Sequence, residues 1–265
     1  MISLFPIAKK IIKSLESIKN HSMISVCVAV HNGQKYLKSQ IDSIICQLGL
    51  DDEIVISDDG SNDKTIEVIE SFNDRRIKVY RLVPPKGLPS FRYATLNFEN
   101  ALKRAKGDFI FLADQDDVWT EDKVKVSLKY LNDYDYIVSD AYVTDSDLNI
   151  ISDTRFVKEE KIHTNKYLAI FFSTPYQGSC AAFKRSVLEK SLPFPKNIQS
   201  HDRWIGNVAA FYFKTKIIPE KLIYYRRHEG TVSTTFRGSR PAGLIKTIGY
   251  KLNYVWGLIS LLFKK

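Results

Sequence analysis

The segment Phe109-Ile110-Phe111-Leu112-Ala113-Asp114-Gln115-Asp116-Asp117 drives a strand-length apolar run straight into a cluster of carboxylates. The pattern recurs along the chain. Residues 24–30 form an apolar run of strand length, 36–46 have helical spacing, 53–57 read as a short strand, 65–72 as a helix and 77–82 as a strand. A helix over 94–105, stopped by Lys106-Gly107, leads into a strand at 109–112, and a helical pattern follows over 118–131. Such alternation predicts βαβ units, and therefore an α/β fold with a parallel sheet covered by helices. Ligands of these sheets bind at the carboxyl ends of the strands, where Asp58-Asp59 and Asp114 to Asp117 both fall. Two acidic strand ends are thus expected to border one crevice. The Pro84-Pro85-Lys86-Gly87 stretch reads as a turn within the domain, and neither an internal repeat nor an interdomain linker is evident.

The 265 residues suit one sizeable domain, and a hydrophobic share of 44% is enough to fill its core. The formal charge of +9 first suggests nucleic acid, but its distribution argues against that partner. Residues 1–22 carry +3 and residues 230–265 carry six Lys or Arg and no acid, so the two tails account for the whole excess and the body is neutral. Three parts follow: a basic amphipathic segment 1–22, a domain 23–233 and a basic amphipathic tail 234–265. In the tail, Ile245, Ile248, Leu252, Val255, Trp256, Ile259, Leu262 and Phe263 recur at intervals of three or four. This fits a helix lying in an anionic membrane interface, and the apolar stretches are shorter than the roughly 20 residues of a span. A helix packed on the body, or on a second subunit as a homodimer through the tail, satisfies the same stripe. At the N-terminus apolar residues precede Lys9-Lys10, the reverse of a secretion signal. Cys27, Cys46 and Cys180 lack metal-ligand spacing and read as reduced core residues. The expected location is cytoplasmic, peripherally held at the inner face of the membrane.

The acidic strand ends admit two readings. Asp114 and Asp116, alternate residues of an extended chain, can converge on one divalent cation, whereas Asp117 or Thr120 can cap the following helix. Asp58 to Asp63 can hold a ligand or form a polar turn, with Gly60 allowing the bend and Ser61 or Asp63 capping a helix. An EF-hand is excluded, because neither its mid-loop glycine nor its terminal Glu follows Asp114 at the required spacing.

Four stations occur in order: Val26 to Val30 with His31-Asn32-Gly33; Ile54 to Ser57 with Asp58-Asp59-Gly60-Ser61; the 109–117 strand with Val118-Trp119; and His201-Asp202-Arg203-Trp204 with the later Tyr225-Arg226-Arg227-His228. The ordered set over residues 23–233 resembles a family 2 glycosyltransferase of the GT-A (Rossmann-like) fold, which implies a mixed, mainly parallel sheet flanked by helices, and Asp-Gln-Asp-Asp-Val-Trp resembles its bacterial rhamnosyltransferase-like branch. The resemblance implies that Asp58, with Asp59, His31 and Asn32, holds the nucleotide, that Asp114 lies near the ribose or cation, and that Asp116 and His228 ligate the cation. Hard oxygen donors and a diphosphate favour Mg2+ or Mn2+. It places Asp202 as general base, preceded by His201 where the family commonly has Glu. It also sets Gln177, Gly178 and Ser179, with His201 and Trp204, beside the acceptor. Trp119 and Trp204 can equally be core residues, and Asp202 can equally be a helix cap.

The implied activity is inverting transfer of a sugar, rhamnose among the candidates, from a dTDP- or UDP-sugar to a hydroxyl of a lipid-linked saccharide during cell-surface polysaccharide synthesis. Two rivals stay open on sequence grounds. One is a nucleotide-sugar-binding subunit of a polysaccharide assembly complex without turnover. The other is a magnesium-dependent phosphohydrolase or nucleotidyltransferase, whose sites also use acidic strand ends.

Overall fold

The computed structural model describes residues 22–156, 176–196, 198–228 and 244–263. The N-terminal segment 1–22 therefore lies almost wholly outside the described residues, as do 157–175 and 229–243.

The elements in chain order are β1 (Ile24–Val30), α1 (Leu37–Ile45), β2 (Glu53–Asp58), α2 (Thr65–Glu70), β3 (Ile77–Arg81), α3 (Ser90–Leu102), β4 (Phe109–Asp114), β5 (Val118–Trp119), α4 (Lys123–Leu131), β6 (Tyr136–Thr144), β7 (Ile150–Ser152), β8 (Ala181–Lys184), α5 (Arg185–Ser191), α6 (His201–Tyr212), β9 (Thr215–Arg226) and α7 (Leu244–Ser260). A 3-10 turn, Gly178–Cys180, precedes β8. One sheet takes the order β3-β2-β1-β4-β8-β6-β9-β5, with β7 paired to β6. The β3-β2-β1-β4 half is wholly parallel, β8 runs against both β4 and β6, and β6 and β9 are parallel. Six strands thus run one way, among them the four that the alternation predicted.

Strand alternation divides the core into two layers. Val26, Val28, Ile54, Ile56 and Phe111 point to the face covered by α1, α2 and α4. Cys27, Val55, Ile110 and Leu112 point to the other, covered by α3, α5, α6 and α7. All of these are fully buried, which is why β1, β2 and β4 read as unbroken apolar runs instead of alternating ones.

One expected element is different. Val118 and Trp119 do not begin a helix; they pair antiparallel with Tyr224 and Ile223 of β9, and α4 starts only at Lys123. The Trp119 side chain is buried against Phe111, so burial and strand pairing override the helical spacing of the sequence. Of the three free cysteines Cys27 and Cys180 are buried as expected, but Cys46 is exposed, because it follows the last turn of α1.

The C-terminal stripe stays on the outer side of α7, and the residues that bury are ones outside it. Tyr254, Leu258 and Leu261 are buried in the layer that α6 lines, whereas Leu252, Trp256, Ile259, Leu262 and Phe263 are exposed. Among the described residues no helix is long and apolar enough to cross a membrane.

Candidate active site

The site lies at the carboxyl ends of β2, β1 and β4. With neighbouring strands ~4.8 Å apart, the ends of β2 and β4 stand roughly 10 Å from each other across β1, a separation a nucleotide diphosphate can bridge. Three turns at these ends are laced together. Gln115 grips the backbone of His31 at both polar atoms, accepting from its N–H at 2.8 Å and donating to its carbonyl at 3.1 Å. Asn32 donates its N–H to Ser61 Oγ and accepts from the Asn62 N–H, each at 2.9 Å, which ties the β1 turn to the β2 turn.

Asp58 is buried and turns inward, accepting from the Gly60 and Ser61 N–H groups at 3.1 Å, while Gly60 adopts φ +102°, a conformation that favours glycine. The polar-turn reading thus holds for this segment. Asp63, not Ser61, meets the start of α2, through the Thr65 N–H at 2.9 Å. Asp59 pairs with His31, Oδ1 to Nδ1 at 2.7 Å. Burial and the neighbouring Asp58 push the Asp59 carboxyl up, against the pull of His31.

β4 ends at Asp114, and a turn carries Gln115 and Asp116, so the acids gather through that turn and not by extended alternation. The Asp116 carboxylate meets His228 Nε2 at 2.9 Å, across 112 residues of sequence. His228 also packs against Tyr36, the rings tilted with centroids 4.8 Å apart. Asp117 is fully buried; one oxygen accepts from the Arg226 N–H at 3.0 Å and the other has no partner among the described residues. This removes Asp117 as a cap of α4, whose start it does not reach. Burial, with Asp116 and Asp202 nearby, pushes Asp114 up to about 7, and burial with Asp116 and Asp114 drives Asp117 well above the carboxylate range. Four acids thus share one electrostatic neighbourhood.

Asp202 lies in the first turn of α6, after the N-cap Ser200, so it is not itself the cap. The Gly178–Cys180 turn faces it: a Cβ placed on Gly178 would stand 3.5 Å from Asp202 Cβ and 2.8 Å from His201 Nε2. The His201 ring stacks on Phe98 at 3.9 Å, burial lowers its pKa and so favours the neutral form, and its Nε2 has no partner among the described residues. Gly178 therefore lies beside His201 and Asp202, with Gln177 and Ser179 flanking it in the chain. Trp204 is not among them. It is fully buried with its indole N–H on the Ser191 carbonyl at 2.8 Å, so it is a core residue and no acceptor contact; Trp119 is buried likewise.

Three residues of this neighbourhood went unremarked in the sequence. Gln115 carries the clamp on His31. Arg226 donates from Nε to the Asp116 carbonyl at 2.8 Å and lies over the Tyr36 ring at 4.5 Å. Lys123, buried and with its ammonium pushed down to about 8 by burial, donates to the Ser179 carbonyl at 2.7 Å and so holds the Gly178–Cys180 turn against the acids. Gln115 sits inside the acidic run and could have been suspected; a buried cation at the start of an ordinary helix gives no signal.

Among the described residues no three His, Cys, Asp or Glu side chains form a complete cation site. A carboxylate and an imidazole 2.9 Å apart, with further acids around them, nevertheless suit a magnesium- or manganese-type ion, which binds through one or two protein groups and completes its shell with substrate phosphates.

Glycosyl transferase family 2 matches residues 25–192 of this chain. The chain belongs to that family. This glycosyltransferase is 26% identical over 244 residues to the dTDP-rhamnosyl transferase RfbG of Shigella flexneri, covering 84% of this chain and 81% of RfbG. It is 25% identical over 248 residues to the UDP-Glc:alpha-D-GlcNAc-diphosphoundecaprenol beta-1,3-glucosyltransferase WfaP of Escherichia coli, covering 88% and 89%. Among solved structures it resembles S. aureus TarS 1-349 in complex with UDP-GlcNAc, with a TM-score of 0.64 at 19% identity over 88% of this chain and 66% of that one. It also resembles the mannosyltransferase PcManGT of Pyrobaculum calidifontis in complex with GDP-Man and Mn2+, with a TM-score of 0.56 at 18% identity, covering 90% and 72%. The GT-A fold is shared with these structures. Asp202 and His228 lie beyond the residues that the family match spans.

Proposed function

We propose that this glycosyltransferase moves a sugar, rhamnose from dTDP-rhamnose foremost, onto a hydroxyl of a lipid-linked saccharide with inversion, in bacterial cell-surface polysaccharide synthesis. The observation that carries the reading is the convergence of Asp114, Asp116 and His228 at the end of β4 with Asp202 at the start of α6, the Gly178–Cys180 turn lying between.

His31, Asn32, Asp58 and Asp59 border the nucleotide end of the crevice, and Asp114 the ribose or diphosphate end. Asp116 and His228 would hold Mg2+ or Mn2+, which supplies neutralisation of the charge on the departing diphosphate. Asp202 takes the proton of the acceptor hydroxyl as that oxygen bonds to the anomeric carbon and the bond from that carbon to the diphosphate oxygen breaks. Attack from the face opposite the leaving group inverts the centre. Lys123 keeps the turn that borders the acceptor in place.

A lipid-linked acceptor and an anionic membrane surface fit the outer face of α7. Trp256 is 71% and Phe263 80% exposed, beside Leu252, Ile259 and Leu262. The six cations and no acids of residues 230–265 are worth about 1 kcal/mol each near an anionic surface. The names of RfbG and WfaP agree with a dTDP-sugar donor and a diphosphoundecaprenol acceptor, respectively.

A calorimetric panel of dTDP- and UDP-sugars with and without Mg2+ or Mn2+, followed by product analysis, tests the donor. Release of nucleoside diphosphate is expected. Nucleoside monophosphate or inorganic phosphate instead would point to a phosphohydrolase or nucleotidyltransferase, and tight binding without turnover on any lipid-linked acceptor to a binding subunit. Flotation with anionic vesicles tests the membrane: the chain should bind at low salt, and Trp256→Ser with Phe263→Ser should release it. Failure of the unaltered chain to bind, with dimers in ultracentrifugation, would assign that face to a second copy.

A further inference from the structure

The helix with the exposed apolar face is also wired to the helix that carries Asp202. α7 lies along α6, and its register there is fixed at several points. A Cβ on Gly257 would come within 2.7 Å of the Trp204 ring, so the two helices are in close contact there. Further along, the Tyr212 hydroxyl of α6 donates to the Leu258 carbonyl at 2.9 Å, and from α5 Lys190 Nζ donates to the Leu261 carbonyl at 3.1 Å. The fixed register brings Tyr254, 1% exposed, to the first turn of α6.

There the Tyr254 phenol oxygen accepts two backbone N–H groups, Gln199 at 3.2 Å and Ser200 at 3.1 Å. A helix start leaves its first N–H groups without intrahelical partners, and a side chain of the N-cap residue usually meets one of them. Ser200 makes no such bond with its own side chain. Tyr254 instead binds the segment from another helix. The carbonyls of the same segment are held by α3: Arg92 donates to the Ile198 carbonyl at 2.6 Å and Thr95 to the Gln199 carbonyl at 3.3 Å. The backbone two residues ahead of Asp202 is thus gripped through its N–H groups by α7 and through its carbonyls by α3. Phe98 of α3 then stacks on the intervening His201.

We propose that Tyr254 is a positioning residue for sugar transfer, its hydroxyl fixing the start of α6 and with it the direction in which Asp202 meets the acceptor. The proposal rests on the reading of Asp202 as the base. It makes α7 part of the transfer apparatus as well as its membrane face. Phenylalanine at position 254 keeps the ring and its packing and removes only the oxygen, so two N–H groups lose their partner while the core stays filled.

The test is a double-mutant cycle in the full-length protein, with nucleoside diphosphate release from the donor that the panel identifies as readout, normalised to donor-binding sites counted by calorimetry. Tyr254→Phe should lower per-site turnover about ten- to a hundred-fold, the scale on which a small misplacement of a reacting group acts. Donor affinity and KM for the donor should stay at the unaltered values. In the Asp202→Asn background the same change should cost nothing further, because the group that it aims is gone. Unaltered per-site turnover in Tyr254→Phe overturns the proposal, as does an equal, additive loss in both backgrounds. A fall in the number of donor sites with unchanged turnover per site overturns it too, since it assigns Tyr254 to folding alone. Full activity of Asp202→Asn by itself would remove the base, a failure of the underlying reading that is visible before Tyr254 is altered.

Discussion

The two ends of the parallel sheet are both acidic, and they treat their acids in opposite ways. At the amino ends Asp108, Asp52, Asp135 and Glu53 each have a donor. Asp108 accepts from the Met23 N–H at 3.0 Å, Asp52 from the Ile24 N–H at 2.8 Å, and Asp135 binds Lys184 at 2.9 Å. Glu53, almost wholly buried, takes Lys78 Nζ at 2.6 Å together with Ser25 Oγ and the Lys106 N–H. Burial would raise the Glu53 and Asp135 carboxyls, but the bonds from Lys78 and Lys184 and their neighbours outweigh it and hold both below the ordinary range. At the carboxyl ends Asp59, Asp114 and Asp117 are pushed up instead, by burial and by other carboxylates. Acids matched to donors hold a fold together; acids crowded on one another work against it and suit a place where a cation and a diphosphate are to be received.

Asp116→Ala breaks the contrast most severely. Transfer and metal-assisted donor binding should be abolished while the melting temperature hardly moves, and turnover of the unaltered enzyme in excess chelator would sink the assignment. Next comes Asp202→Asn, which keeps the shape of the side chain. Turnover should drop by roughly two to four orders of magnitude with donor affinity unchanged, and loss of donor binding with intact per-complex turnover would make Asp202 a donor contact.

At the amino ends the expectation reverses. Glu53→Gln should leave kcat alone and cost about 1–3 kcal/mol in denaturant unfolding, because Lys78 and the buried N–H lose a charged partner. The lowered Glu53 carboxyl stabilises the fold fully above its ordinary value of 4.5 and loses that contribution as pH falls through the folded value, so the acid unfolding limb should flatten in the variant. An unchanged acid limb would detach Glu53 from stability.

The smallest effect has the opposite sign. In the metal-free protein the burden of an ionised Asp114 is absent at low pH, grows as pH rises from the ordinary 3.8 to about 7, and is complete above that. Asp114→Asn should therefore melt slightly higher than the unaltered protein at pH 8 in chelator, and an equal or lower melting temperature would contradict the crowding.

The sequence by itself determined the α/β class, the placing of β1 to β4 and the acidic strand ends, because β1, β2 and β4, buried on both faces, must be apolar throughout and their polarity can change only where they leave the sheet. Residues that act within one local turn, such as Gly60 and Asp58, were legible for the same reason. Tertiary structure decided the rest. The helical spacing after Asp117 gave way because Val118 and Trp119 find partners in β9, a strand about a hundred residues later. Asp116 meets His228, Arg226 meets Asp117, Lys123 meets Ser179 and Tyr254 meets Ser200, and no periodicity encodes such encounters. The stripe read from the sequence, with Trp256 and Phe263, is the face that α7 leaves exposed, and only docking on α6 decides that Tyr254, Leu258 and Leu261, outside that stripe, turn inward. Local pattern is set by which side chains must leave water; partnership across the sheet depends on where the chain returns, and that is fixed only when the whole core closes.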